Sequence, residues 1–157
     1  MSAKRMIQRS RPWAGACAAL MLVTALQALA APPKSVGAGS AWTNQMGSTL
    51  YIDAVETSGL LSGHYVNRAA GYSCQDIPYP VTGWINGTAI TFTTLWQSST
   101  ESCNSITAWT GFYDQGQIST LWQLVANGAT SPSQIVRGSD TFHAGTSTTH
   151  KSLLQDQ

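Results

Sequence analysis

Acidic and basic side chains are scarce in this sequence: Asp, Glu, Lys and Arg together make up 10% of its 157 residues. The shortage of Glu and Lys removes the usual material of solvated helices, and no stretch carries a convincing 3.6-residue apolar period. Long hydrophobic runs are equally rare. The charge-free run Ala14–Leu26 is too short for a comfortable transmembrane span, and no second run follows it. Its surroundings read as an export signal instead. Lys4, Arg5, Arg9 and Arg11 form a basic n-region, and Ala28-Leu29-Ala30 is a small-residue cleavage site. Residues 1–30 are therefore expected to be a signal peptide, removed before Ala31. The alternative is an uncleaved N-terminal anchor. Cys17 lies inside the apolar run, whereas a lipid-anchor cysteine belongs after it.

Cleavage there changes the charge balance. Four of the eight Lys and Arg precede residue 31 and all seven Asp and Glu follow it. Four bases against seven acids leave a net charge of −3. No basic footprint for nucleic acid or for anionic lipid remains, so neither nucleic acid nor a membrane is an expected partner of the mature chain. Two cysteines remain, Cys74 and Cys103. An even count in an exported chain points to one disulfide and to a secreted or periplasmic location. Such a bridge contributes roughly 3–4 kcal/mol on a chain-entropy model.

What is present is Thr, Ser, Gly, Trp and Tyr, arranged as short β-prone runs punctuated by turn residues. Strands are expected near Ala41–Met46, Thr49–Val55, Leu60–Val66, Val81–Asn86, Ala89–Trp96, Ile106–Tyr113, Ile118–Val125 and Ile135–Phe142. Gly47-Ser48, Ser58-Gly59, Asn86-Gly87, Asp114-Gln115-Gly116 and Asn127-Gly128 separate them, with Asn86-Gly87 the best single hairpin signal. Eight strands joined mostly by short turns predict an all-β, antiparallel up-and-down β-barrel over residues 31–143, since closure removes exposed edges. A two-sheet sandwich is the alternative. The long link from Asn67 to Pro80 carries Cys74 and the stiff Pro78-Tyr79-Pro80. Residues 144–157 form a polar C-terminal tail.

An eight-stranded barrel has room for core side chains and one small ligand. Five tryptophans remain after the signal. Taken singly, each is more often core than pocket wall. Trp96, Trp109 and Trp122, however, each fall near one end of a different expected strand and would ring one mouth of the barrel. Ser105, Thr107 and Trp109 alternate and so share a face. Asn44 and Ser48 flank the first turn, and Tyr65 lies near the end of the third strand. Asp140 lies in the last strand, where a buried carboxylate requires donors. Its ordinary reading is a turn cap or a partner of Arg137.

These segments resemble the avidin and streptavidin family over nearly the whole mature chain. The resemblance rests on Trp42-Thr43-Asn44-Gln45-Met46-Gly47-Ser48-Thr49, Gly63-His64-Tyr65, Ser105 to Gly111, Trp122-Gln123-Leu124 and Asp140-Thr141-Phe142, in matching order and spacing. Tyr65-Val66-Asn67-Arg68-Ala69, Cys74-Gln75, Cys103-Asn104-Ser105 and Lys151-Ser152-Leu153-Leu154 are similar to the dimeric bacterial avidins. The resemblance implies that biotin is the ligand and that no cofactor is needed. Asn44, Ser48 and Tyr65 would donate to the ureido oxygen, Asp140 would accept one ureido N–H, and Asn67 would accept the other. Asn67 departs here from the Ser or Thr common in the family. Thr107 would sit near the thioether sulfur and Ser105 near the carboxylate, with the backbone of Ala69, Ala70 and Gly71 also reaching it. Trp96, Trp109, Trp122 and Leu124 would form the apolar wall, with Met46 replacing a Leu. The resemblance further implies a Cys74–Cys103 disulfide and a homodimer, because no Trp stands between Leu124 and Ser139, where tetrameric members carry one that covers a neighbour's ligand.

Other function classes fit less well. A lipocalin-like carrier of another apolar ligand would keep the Trp-lined cavity without needing Asn44, Ser48, Tyr65 and Asp140 together. A secreted hydrolase lacks a G-x-S-x-G turn, and His64, His143 and His150 show no zinc-ligand spacing, so the chain is not expected to be an enzyme or to bind metal. A protease inhibitor would present an exposed loop rather than a filled cavity. His64, beside Tyr65 on a strand, faces the other way as a surface histidine. Asn86-Gly87-Thr88 matches a glycosylation sequon, but a hairpin turn explains it. Trp84 receives no ligand role.

Overall fold

The structure is a computed structural model that describes residues 36–145; the expected signal peptide, and the tail beyond Gly145, lie outside the described residues. Eight antiparallel strands follow one another in chain order and close into a barrel. They are β1 Ser40–Asn44, β2 Thr49–Val55, β3 Leu60–Val66, β4 Pro78–Asn86, β5 Ala89–Trp96, β6 Ser105–Asp114, β7 Gln117–Ala126 and β8 Val136–Ala144. The seam is the β1–β8 ladder, in which Asn44 opposes Phe142 and Trp42 opposes Ala144. The barrel, not the sandwich, is the architecture.

Element ends differ from expectation for local reasons. β1 stops at Asn44 rather than Met46, because Asn44 Oδ1 accepts the N–H groups of Met46 and Ser48 at 3.0 and 2.9 Å and turns the chain. β4 begins at Pro78, inside what reads as a stiff link. Ile85 directs its N–H toward the β3 side, to Gly59 O, so even-numbered residues direct theirs toward β5. Pairing with β5 starts only at Val81, so Pro78 and Pro80 fall where no ladder donor is missed. In the β4–β5 hairpin the register pairs Asn86 with Ala89, which puts Gly87-Thr88 in the turn. Gly87 alone has positive φ there, the requirement of a type II′ loop rather than an Asn-Gly type I′ loop. β8 runs through His143 to Ala144, so the barrel ends one residue beyond residue 143.

Burial alternates along the strands. In β5 the inward set is Ile90, Phe92, Thr94 and Trp96, and each is buried. Inward residues from β1, β2, β3, β5, β7 and β8 fill one end with Trp42, Leu50, Ile52, Leu61, Phe92, Ile118 and Phe142. Each such side chain contributes about 1.5–3 kcal/mol by leaving water. Gly83 and Gly111 also face inward, where a Cβ would strike the neighbouring strand's carbonyl oxygens of Thr91 and Ser119 at 1.9 Å. Glycine is what lets these strands coil tightly enough to close a narrow barrel.

The opposite end stays open. Its rim is made by the Asn44–Ser48 turn, the loop from Asn67 to Ile77, the loop from Gln97 to Asn104, and the β7–β8 link with one 3-10 turn at Pro132–Gln134. Cys74 and Cys103 form a disulfide that ties the second of these to the third, with Cα atoms 6.2 Å apart. Glu101 Oε2 also accepts the backbone N–H of Cys74.

Candidate functional site

The open end encloses a cavity of about 670 Å³, within the range of small-molecule sites. Its polar side is built by β1, β3 and the loops that follow them. Asn44 is buried, and both lone pairs of its carbonyl are held by the N–H groups of its own turn. That fixes Nδ2 toward the interior, where it donates to the Tyr65 hydroxyl at 3.2 Å. Tyr65 therefore accepts from Asn44 and keeps its own proton to give. Burial, reinforced by the charge of Asp140, raises the Tyr65 phenol well above its ordinary value, against a smaller opposing effect of Ser48. It remains a donor at any physiological pH.

Ser48 and Asn67 complete this side. The Ser48 hydroxyl accepts the N–H of Arg68 at 2.8 Å and donates to Asn67 Oδ1 at 3.3 Å. Asn67 Nδ2 donates to Ser73 O, and Oδ1 also accepts the N–H of Ala69. Asn67 thus aims its oxygen at the Ser48 side while bracing the rim loop.

Asp140 faces this cluster from β8. It is 7% exposed, and its carboxylate makes no salt bridge among the described residues. Trp109 Nε1 donates to Oδ2 at 2.8 Å, and Gln45 Nε2 donates to Oδ1 at 2.9 Å. Those two donors replace both ordinary readings, the turn cap and the pairing with Arg137, whose odd position turns it to the outer face.

The apolar side comes from β5, β6 and β7. Trp109 stacks on Tyr65 and on Phe92, with centroids 5.0 and 4.8 Å apart. Trp96 meets Tyr65 edge-on and gives its N–H to Thr107 Oγ1 at 2.8 Å. Trp122 and Leu124 line the β7 wall, and Met46, half-exposed, lies at the rim. The Ser105 hydroxyl, also on the lining, donates to Cys103 O.

Of the expected residues, Asn44, Met46, Ser48, Tyr65, Asn67, Ala69, Trp96, Ser105, Thr107, Trp109, Trp122, Leu124 and Asp140 all line this one cavity. Ala70 and Gly71 do not; they are exposed on the rim loop, and Tyr72 and Ser73 line the cavity in their place. Gln45 was missed because alternation along β1 sends it outward, whereas the turn brings its amide back to β8. Gly138 was missed too. It opposes Trp122 in the β7–β8 register, and a Cβ there would lie 2.3 Å from the indole. A glycine paired with a pocket tryptophan is the signal that would have found it. Trp84 is exposed on the outer face, and His64 pairs there with Asp53 at 3.0 Å. Among the described residues no group of three His, Cys, Asp or Glu is placed to hold a metal.

The fold and site together define a small-molecule-binding β-barrel with a hydrogen-bonding floor and an indole-lined wall. Comparison with known proteins gives its family. The Avidin family model matches residues 33–145. Afifavidin from Afifella pfennigii is 43% identical over 107 residues, 66% of each chain. A shwanavidin variant solved with biotin is 58% identical, with a TM-score of 0.69 over 72% of this chain and 100% of that one. The rhizavidin–biotin complex is 47% identical, with a TM-score of 0.62 over 76% and 99%. The chain belongs to the avidin family.

Proposed function

We propose that this protein is a secreted or periplasmic, non-enzymatic binder of biotin, with a dissociation constant at nanomolar or below, about −12 kcal/mol or stronger. One observation carries the reading. Three donors, Asn44, Ser48 and Tyr65, converge on one side of a Trp-lined cavity while Asp140 and Asn67 offer acceptors beside them. A carbonyl flanked by two N–H groups matches that set, and biotin's ureido ring has this pattern. The Asn44 amide and the Tyr65 hydroxyl are held in place before the ligand arrives, and Ser48 turns its proton from Asn67 Oδ1 to the ureido oxygen, which frees that acceptor for a ureido N–H. Together the three polarise the oxygen as in an oxyanion hole but with no reaction following. The disulfide stiffens the rim and lowers the ordering cost of binding. The biotin complexes of shwanavidin and rhizavidin support the same ligand.

The working unit is a homodimer in this reading. Leu95, Ile106 and Val125 sit opposite one another across the outer faces of β5, β6 and β7, with Phe112 and Leu121 further along the same sheet. Leu121 is 72% exposed, an apolar surface that a two-fold partner would cover. Isothermal titration of the oxidised protein from Ala31 onward with biotin tests the function. One tight site per chain is expected. No binding would refute the reading and leave a barrel for some other small apolar ligand.

A further inference from the structure

Gln45 makes three hydrogen bonds to one strand. Its Nε2 donates to Asp140 Oδ1 at 2.9 Å and to Ser139 O at 3.2 Å, and its Oε1 accepts the N–H of Thr141 at 3.0 Å. The β1–β8 ladder ends at Asn44 and Phe142, so the next rung would pair Gln45 with Thr141. The backbone has already turned away toward Ser48. The side-chain carboxamide, which carries the same N–H and C=O groups as a peptide unit, replaces the missing rung. It does so on the turn that bears Asn44, Met46 and Ser48, and its N–H ends on the carboxylate that faces them.

We propose that Gln45 is a positioning residue of the binding site. Its carboxamide fixes the rotation of the Asp140 carboxylate and fastens the Asn44–Ser48 turn to β8. The donors of one side and the acceptor of the other are thereby held as one unit. Trp109 holds Oδ2 and Gln45 holds Oδ1, so the remaining lone pairs have one direction left, into the cavity. This inference rests on the biotin-binding reading for its ligand, but the hydrogen-bond arrangement stands without it.

Gln45→Glu separates positioning from simple seam closure. When protonated, the new carboxyl is isosteric with the amide. Its C=O accepts from Thr141 and its O–H donates to Asp140. When ionised, it sets two carboxylates at hydrogen-bond distance, and they repel. The other groups facing Asp140 are Tyr65 from β3, Trp109 from β6 and Thr120 from β7, and none of them titrates between pH 5 and 8. Arg137 and His143 occupy outward positions on β8 and are present in both proteins, so their effects cancel in a ratio.

The experiment measures biotin dissociation constants by competition at pH 5 to 8, for the parent and for Gln45→Glu. The ratio of variant to parent is expected to be within about threefold at pH 5 and to rise to at least about tenfold at pH 8. A flat ratio overturns the proposal. Gln45→Met keeps length and apolar bulk without the amide; it is expected to bind at least about tenfold more weakly at every pH, and affinity within twofold of the parent would overturn the proposal as well. If the parent itself fails to bind biotin, the functional reading falls, and the indole N–H resonance of Trp109 in the ligand-free protein decides this inference. That resonance should move with pH in Gln45→Glu and stay fixed in the parent; equal behaviour in both would refute the positioning role.

Discussion

Replacing Gly138 by alanine isolates the role of the tryptophan wall. Gly138 has no positive φ, so its backbone accepts alanine without strain, and the perturbation is steric alone. The added Cβ would stand 2.3 Å from Trp122 Cζ2 and 2.6 Å from Cε2. Carbon atoms pack at about 3.5–4.0 Å, so the indole must move by about 1 Å or more. It can crowd the cavity or swing toward solvent, and either motion spoils its contact with a ligand. If the shift uncovers about 40–60 Å² of apolar contact, the loss is about 1–1.5 kcal/mol, or five- to tenfold in affinity. Trp122 is only half-buried, so stability should fall by less than about 1 kcal/mol, below the usual cost of overpacking a closed core. The biotin off-rate, with a thermal midpoint as control, measures both effects. A double-variant cycle sharpens the test: once Trp122→Ala has removed the ring, Gly138→Ala should cost nothing further. An unchanged off-rate in the single variant, or an equal loss in both backgrounds, would refute the steric reasoning.

The remaining expectations concern the rim and the floor. Removing the Cys74–Cys103 bridge by serine substitution at both positions opens a link between residues 29 apart and should lower stability by about 3.6 kcal/mol on the chain-entropy model, read from urea midpoints. A loss below about 1 kcal/mol would show that the bridge constrains the unfolded chain very little. Tyr65 holds its proton longer in the folded chain than its ordinary value of 10.0 allows, chiefly through burial and then through Asp140. Its contribution is complete below about pH 10 and is lost above it, at up to about 1.4 kcal/mol per pH unit while the folded phenol stays protonated. Tyr65→Phe should flatten that alkaline limb in urea unfolding between pH 8 and 11, and an identical slope in the variant would disprove the assignment.

Strand identity, order and number were legible in the residues, because alternation and turn chemistry are local. The pattern Ile90, Phe92, Thr94, Trp96 can bury one face only as a strand. Most of the cavity lining was legible too, partly from alternation, as for Ser105, Thr107 and Trp109, and otherwise through family resemblance. What local pattern could not supply was set by contacts between distant strands. Period-2 reading sends Gln45 outward, and only the turn after β1 returns its amide to β8, 95 residues away from it at Asp140. Gly138 is an unremarked position inside the expected last strand until the β7–β8 register sets it opposite Trp122. Ala70 and Gly71 were assigned to the ligand by analogy, but on the rim loop, braced by Asn67 and the disulfide, it is the neighbouring Tyr72 and Ser73 that border the cavity. The sequence by itself determined a charge-poor chain of eight strands with a polar and an aromatic set on one face. Only closure of the barrel decided which of those side chains share a hydrogen bond, because that depends on register across the seam, and register is a property of paired strands rather than of either one.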